Sequence, residues 1–232
     1  MNRTPAAGWI RVGLFALPLY GLLLVYSTWS PQPDQVTDPE RWARFVSRTS
    51  YLAGHIIGNV LGTVLVIFGT FALGAFLARS RAPRLGLSGM VLSITGYVLF
   101  TVPGVISTFA TPAIGAAYLA GNREVMTLEF SPILTVLIVL ALLLAVIGNG
   151  LLSVAIWRSG SLPRWAGVTW AVATLIFYVL GAALGMAATG ASLPTQPIGA
   201  ALMAIAGAWI AWAGSRLLGD RSGNPDVAVP SR

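Results

Sequence analysis

Hydrophobic residues in this chain are concentrated in six long runs, which are separated by shorter polar or proline-containing turns. Each run is long enough for a helix across the hydrocarbon core of a bilayer, which is about 30 Å thick and needs about 20 helical residues. The pattern therefore predicts an all-α membrane protein, a six-transmembrane-helix bundle. The predicted spans lie near residues 10–29, 51–78, 85–110, 133–157, 165–189 and 197–218.

The first long connection between spans carries the start signals of a short helix. Asp38 is suited to the N-cap, Pro39 to the first helical position and Glu40 to the first turn. Apolar residues then recur at helical spacing beside three arginines. We predict an amphipathic helix over 39–48 that lies at the outer membrane interface.

The second long connection, 113–130, begins with small apolar residues and ends with polar ones. It is too short to cross a bilayer, so it either re-enters the membrane or lies on its surface. After residue 218 the chain is rich in Gly, Pro, Ser and charged residues. We predict a single transmembrane domain over 1–218 and a disordered cytoplasmic tail over 219–232.

Charge sets the predicted orientation. All 14 basic residues are arginines, and the turns place ten of them on one side of the bundle and four on the other. The arginine-rich side is expected to be cytoplasmic, with both termini inside the cell. This placement in turns explains the basic charge without a nucleic-acid partner. Only 9% of the residues are charged, against about 25% in a soluble domain. We therefore expect the surface of the protein to contact the lipid bilayer of the cell membrane.

The inventory of reactive side chains excludes several kinds of site. The chain has no cysteine, which excludes disulfides and thiolate metal sites. It has no H-E-x-x-H, G-x-S-x-G or phosphate-loop motif. No carboxylate falls at predicted membrane depth, which counts against ion-coupled transport. We therefore expect no metal and no cofactor, and the sequence favours a protein that is not an enzyme.

Spans 2–3 and 4–5 share four sequence markers in the same order. The clearest are Arg79-Ser80 with Arg158-Ser159, and Tyr97 with Tyr178. They predict a parallel internal repeat, in which helices 2–3 and 4–5 are related by an axis along the membrane normal. The alternative is that tight cytoplasmic turns converge on the same Ser, Pro and Arg residues.

The second span carries two neighbouring ladders with a step of four residues. The polar ladder consists of His55, Asn59 and Thr63. The glycine ladder consists of Gly54, Gly58 and Gly62. Residues four apart share a helix face, and small residues let a second helix approach closely. The polar ladder is interpreted as interhelical hydrogen bonding at that contact, with a ligand or proton site as the alternative.

Three further polar residues lie within the spans. Asn149 in the fourth span is interpreted as a hydrogen-bonding link to another helix. Tyr97 and Tyr178 hold matching positions in the two repeat units. They either line a central cavity or anchor neighbouring helices through their hydroxyls.

Small-residue faces are also present in the last two spans. The fifth span carries Gly181 and Gly185, and the sixth carries Ala200, Ala204 and Ala208. Such faces predict tight helix packing, either within the chain or between copies of it.

Three functional hypotheses follow from these features. The leading one is a non-enzymatic accessory subunit or scaffold, which associates with other membrane subunits or with itself. The second is a carrier or permease for a small neutral or apolar molecule, with a central cavity reached by Asn59, Tyr97 and Tyr178. The third is a membrane enzyme or cofactor protein that uses His55, the one histidine of the chain.

Overall fold

The computed structural model describes residues 5–189 and 192–220, and all regular structure within them is helical. Six helical stretches are long and apolar enough to cross a membrane, which confirms the predicted all-α fold with six candidate spans. They are span 1 (Ala6–Thr28), span 2 (Thr49–Leu77), span 3 (Pro83–Leu119), span 4 (Pro132–Arg158), span 5 (Arg164–Ala188) and span 6 (Gln196–Gly219).

Three spans contain π-helical segments, and span 1 consists of two α-helices. The α-helices are Pro5–Leu14, Ala16–Thr28, Pro39–Val46, Thr49–His55, Gly62–Leu77, Pro83–Val105, Thr111–Leu119, Pro132–Arg158, Arg164–Thr174, Gly185–Thr189 and Gln196–Asp220. The π-helical segments are Ile56–Leu61 in span 2, Ile106–Ala110 in span 3 and Leu175–Leu184 in span 5. A 3₁₀ turn, Arg123–Thr127, follows span 3. Of the predicted tail, residues 219 and 220 belong to the last helix and the rest lies outside the described residues.

The six spans form a closed ring. Each span packs against its neighbours in sequence, and span 6 packs back against span 1. Leu14 near the start of span 1 touches Gly214 near the end of span 6, so the two described ends of the chain lie at one end of the bundle. We call this end of the bundle the arginine-rich end, because the arginine-containing turns after spans 2 and 4 lie there. The opposite end is the loop end.

Glycine allows close approach at every interface of the ring. At Gly96, for example, an added Cβ would lie 2.6 Å from the backbone nitrogen of Ala145, so no larger residue fits without moving a helix. Close backbone approach increases the packing contacts that hold helices together in lipid. Each of the six interfaces has such a glycine. In ring order, from the contact of spans 1 and 2 to that of spans 6 and 1, they are Gly69, Gly74, Gly96, Gly167, Gly199 and Gly207.

Proline shapes spans 1 and 3. Pro18 has no N–H for the carbonyl of Leu14, and the chain turns at Phe15, whose N–H donates to the Val12 carbonyl at 3.1 Å. Pro103 lies inside span 3, and the π segment begins three residues later. A proline removes one backbone donor, and a local change of helical hydrogen bonding accommodates that loss.

Span 3 continues well beyond its predicted end at residue 110. The helix runs from Pro83 to Leu119, 37 residues in all, which is about 55 Å at 1.5 Å per residue. The first part of the 113–130 segment therefore extends this helix, which differs from both the re-entrant and the surface-lying prediction.

The connecting helix, Pro39–Val46, packs against the far end of span 3. Its N-cap is Asp38, whose carboxylate accepts a hydrogen bond from the Arg41 N–H at 3.1 Å. Trp42, Ala43 and Val46 are buried there, in a cluster completed by residues of span 3 and of the 3₁₀ turn. We call this unit the cap, and it consists of the turn at residues 35–37, the connecting helix, the span 3 extension and the 3₁₀ turn.

On the outer surface of the connecting helix, Arg44 hydrogen-bonds to Glu40 and pairs with its charge. This interaction holds the pKa of the Glu40 carboxyl below its usual value. Both side chains are exposed, so the pair contributes little to stability.

Candidate functional site

Five polar or aromatic side chains meet in the middle of the ring. They come from spans 1, 3, 4 and 5, and each is at most 5% exposed. We call them the interior cluster: Tyr20, Tyr97, Asn149, Trp170 and Tyr178. They are surrounded by buried apolar residues that belong to one continuous core.

Asn149 is the centre of this cluster, because its amide bonds to three other residues. Its Nδ2 donates to the Tyr97 hydroxyl and to the Ala145 carbonyl, both at 2.7 Å. Its Oδ1 accepts from the indole Nε1 of Trp170 at 2.7 Å and lies 3.0 Å from the Tyr97 hydroxyl. The amide thus ties span 4 to spans 3 and 5 with both of its polar atoms in use.

A second hydrogen bond crosses the interior between spans that are not neighbours in the ring. The hydroxyls of Tyr20 in span 1 and Tyr178 in span 5 lie 2.7 Å apart. Tyr97 and Tyr178 belong to one continuous core of buried residues, so this pair and the Asn149 group lie in the same interior. The polar centre therefore links four of the six spans.

The chemistry of the interior cluster is that of neutral hydrogen bonding. None of its members is a carboxylate, a histidine or a cysteine, so it offers no strong general base or metal ligand. Among the described residues, no group of three or more metal-ligating side chains lies together. Among the described residues, the buried hydroxyl of Ser93 near the cluster has no hydrogen-bond partner.

The predicted tyrosines fall on the two sides of this cluster. Tyr97 bonds to span 4 and Tyr178 bonds to span 1, so both hydroxyls link helices. Two clefts of the described structure lie at the ends of the bundle and are lined by other residues. This geometry matches the helix-anchor alternative for the two tyrosines.

Sequence reasoning missed two members of the cluster, Tyr20 and Trp170. A signal was present for Trp170, because Trp170, Thr174 and Tyr178 repeat with a step of four along span 5. Thr174 itself bonds back to the Trp170 carbonyl at 2.8 Å. Tyr20 stands alone among apolar neighbours in span 1, and nothing in its local sequence indicates a partner 158 residues away.

The predicted polar ladder of span 2 lies toward the loop end, apart from the interior cluster. The Nδ1 atom of His55 is 3.0 Å from the Tyr51 carbonyl, and the two rings stack with centroids 3.9 Å apart. Asn59 faces Gly104 of span 3. Residues 56–61, which lie between His55 and Thr63, are π-helical.

The glycine ladder faces a different helix from the polar ladder. An added Cβ at Gly58 would meet the side chain of Ser27, and one at Gly62 would lie 3.6 Å from the Tyr20 ring. Gly54 is buried and its added Cβ would be 4.0 Å from the Ser27 Cα. The ladder thus packs against span 1, whereas the sequence placed both ladders at one contact.

The small residues of the last two spans divide between packing and exposed positions. Ala200 is fully buried, Ala204 meets Gly21 of span 1, and Gly181 meets Gln196 at the start of span 6. Gly185 is buried, whereas Ala208 is exposed. A step of four advances about 40° further than a full helical turn, so two steps after Ala200 the pattern leaves the ring-facing side of span 6 at Ala208.

Comparison of the chain with protein-family models, with curated proteins and with solved structures gives no match.

Proposed function

We propose that this chain is a multi-pass cell-membrane protein that acts by association, as a non-enzymatic accessory subunit or scaffold. The observation that carries the proposal is the interior cluster. Its tyrosine, asparagine and tryptophan side chains bond to one another across the ring, and its groups are neutral. A centre of this kind fixes helix positions, which suits a protein whose surface is the functional part.

The cap is the part of that surface best placed to bind another protein. Span 3 is about 55 Å long, and the hydrocarbon core is about 30 Å thick. The surplus length carries the cap beyond the lipid at the loop end. Its surface includes Val36, which is 84% exposed, and charged residues of the connecting helix. Exposed apolar side chains rimmed by charge are typical of protein contacts.

The proposed orientation places the arginine-rich end in the cytoplasm and the cap outside the cell. The described arginines at the arginine-rich end are Arg11, Arg79, Arg81, Arg84, Arg158, Arg164 and Arg216. Trp212 and Trp157 lie beneath two of these guanidinium groups, as aromatic residues do at a membrane interface. A cysteine placed at Val36 is then expected to react with an impermeant maleimide on intact cells.

We also propose that spans 2–3 and 4–5 arose by duplication. The turns after spans 2 and 4 have the same local geometry, because Ser80 and Ser159 each accept a hydrogen bond from the backbone N–H two residues later, at 3.2 Å. Gly86 packs on Leu77 in the first unit, and Gly167 packs on Ile156 at the matching position of the second. Such shared contacts support a common origin beyond shared turn composition.

Native mass spectrometry of the tagged protein, extracted gently from its own membrane, tests the association role. We expect a defined mass above that of the 24.3 kDa chain, from other subunits or from further copies of this one. Replacement of Val36 by a charged residue is expected to reduce that assembly. The same replacement at Val139, which is exposed in span 4, shows how much of the loss comes from disturbed insertion into the membrane. Recovery of the lone chain under all extraction conditions would reject the proposal.

A carrier for a small neutral or apolar molecule remains the second candidate. The π segments favour it, since such segments often mark functional sites. The carrier role requires the hydrogen bonds of the interior cluster to open during each cycle, so that a solute passes between spans. It predicts water access to the ring interior, which the association role does not.

A further inference from the structure

A pocket at the arginine-rich end combines one guanidinium group with two serine side chains. It is lined by Arg79 and Ser80, which follow span 2, and by Ser161 in the turn between spans 4 and 5. The hydroxyl oxygen of Ser161 is buried and has no hydrogen-bond partner in the described structure. An unpartnered buried hydroxyl is unfavourable, so a ligand oxygen within its reach would satisfy it after rotation about χ1.

The remaining wall of this pocket is apolar. Ile10 of span 1, Phe76 of span 2, and Leu217 and Leu218 of span 6 line it. The pocket has a cavity volume of about 40 Å³ and is partly open to the surroundings. Three spans of the ring thus leave a gap at their ends, where an apolar wall meets a polar rim at the level expected for the membrane interface.

The charge at this end is unbalanced. Seven arginines belong to it among the described residues, whereas Asp220, the last residue of the last helix, is the one acidic residue described there. The ion pair found among described side chains, Glu40 with Arg44, lies at the loop end. Arg164 and Arg216 lie over tryptophan rings, and Arg79 is among the residues that line the pocket.

We propose that this pocket binds one anionic phospholipid. The phosphate group contacts Arg79 and the hydroxyls of Ser80 and Ser161, and the upper acyl chains lie along the wall formed by spans 1, 2 and 6. Arginine and hydroxyl donors suit a phosphate, and the apolar wall suits a ligand that enters from the bilayer, in contrast to a free anion. The site is separate from the cap, so it holds or fails independently of the association role.

Native mass spectrometry with defined lipids tests this site. The purified full chain is titrated with phosphatidylglycerol and with phosphatidylcholine of the same acyl chains. We expect phosphatidylglycerol to bind about tenfold more tightly, because both lipids offer the same phosphate but only phosphatidylglycerol has a net negative charge, which the arginine-rich end favours. Arg79→Gln should reduce that preference to about twofold or less.

Two further variants control this experiment. Arg84→Gln removes the same charge from the same turn but not from the pocket, and it is expected to retain the preference. Ser161→Ala removes a hydroxyl that has no partner in the protein, so it should fold normally and bind phosphatidylglycerol several-fold more weakly.

Three outcomes would overturn the proposal: equal affinity for the two lipids, equal losses in Arg79→Gln and Arg84→Gln, or unchanged binding by Ser161→Ala. Displacement of the lipid by inorganic phosphate at similar concentration would also overturn it, because the site would then recognise a free anion.

Discussion

Replacement of Asn149 by leucine is expected to destabilise the folded protein by about 2–3 kcal/mol, which is the loss when two buried groups lose their partners. The change leaves the Trp170 indole N–H without its acceptor and the Tyr97 hydroxyl without its amide partner. Leucine has a similar size, so the loss reflects hydrogen bonding more than volume. Unfolding in mixed micelles with increasing SDS, followed by tryptophan fluorescence, measures the difference.

Thr95→Val provides the control for this prediction. Thr95 is exposed in span 3, and its hydroxyl bonds to the Val91 carbonyl of its own helix at 2.9 Å. Its replacement removes a polar group without breaking a link between spans, so a change below about 0.5 kcal/mol is expected. If the two variants are equally stable, the interior cluster does not hold the ring together.

Replacement of Gly148 by alanine is expected to cost about 2–3 kcal/mol, the usual range for overpacking in a closely packed contact. An added Cβ there would meet the backbone nitrogen of Ser93 and would lie 2.9 Å from the Gly89 carbonyl oxygen. Backbone atoms cannot turn aside as a flexible side chain does, so spans 3 and 4 must separate. That separation also weakens the neighbouring bond between Tyr97 and Asn149.

Gly150→Ala is the matched control, two residues further along span 4. Nothing lies within 4 Å of an added Cβ at this position. Alanine is a better helix former than glycine by about 0.5–1 kcal/mol, so this variant should be as stable as the native protein or slightly more stable. Similar destabilisation by both alanines would mean that spans 3 and 4 are not in the described close contact.

The spans were predictable from sequence because a membrane helix differs strongly from its flanking turns in hydrophobicity. The order of the spans around the ring was not. In lipid, both the exposed and the packed faces of a helix are apolar, so no polar stripe tells which face meets a neighbour. Ala208 illustrates this, since it belongs to the same step-of-four pattern as Ala200 and yet is exposed.

The polar residues of the site were partly predictable, because a polar side chain differs from the apolar residues around it in a span. Asn149 stands out within an apolar span, because an amide there needs hydrogen-bond partners. Its partners were harder to identify, since tyrosine and tryptophan are common in ordinary apolar packing. Only the fold brings Trp170 within 2.7 Å of Asn149.

The extension of span 3 was missed because Pro112 resembles a helix end. In the structure a π segment ends at Ala110, and Pro112 falls in the first turn of the α-helix that follows. The helical backbone is continuous through Ala110 and Thr111, so the π segment before Pro112 accommodates the missing N–H of the proline. The polar ladder of span 2 was assigned to the glycine contact because the two ladders are adjacent in sequence, whereas Asn59 faces span 3 and the glycines face span 1.

Thiol accessibility in native membranes tests most directly the claim that the ring interior is closed and packed. The chain has no cysteine of its own, so Ala145→Cys and Ala173→Cys each report one interior position, 2% and 0% exposed respectively. Val36→Cys reports the exposed cap. We expect Val36→Cys to react rapidly with a water-soluble maleimide, and the two interior cysteines to react only after unfolding. Comparable reaction rates at all three positions would contradict this claim, because they would place water inside the ring and favour a carrier.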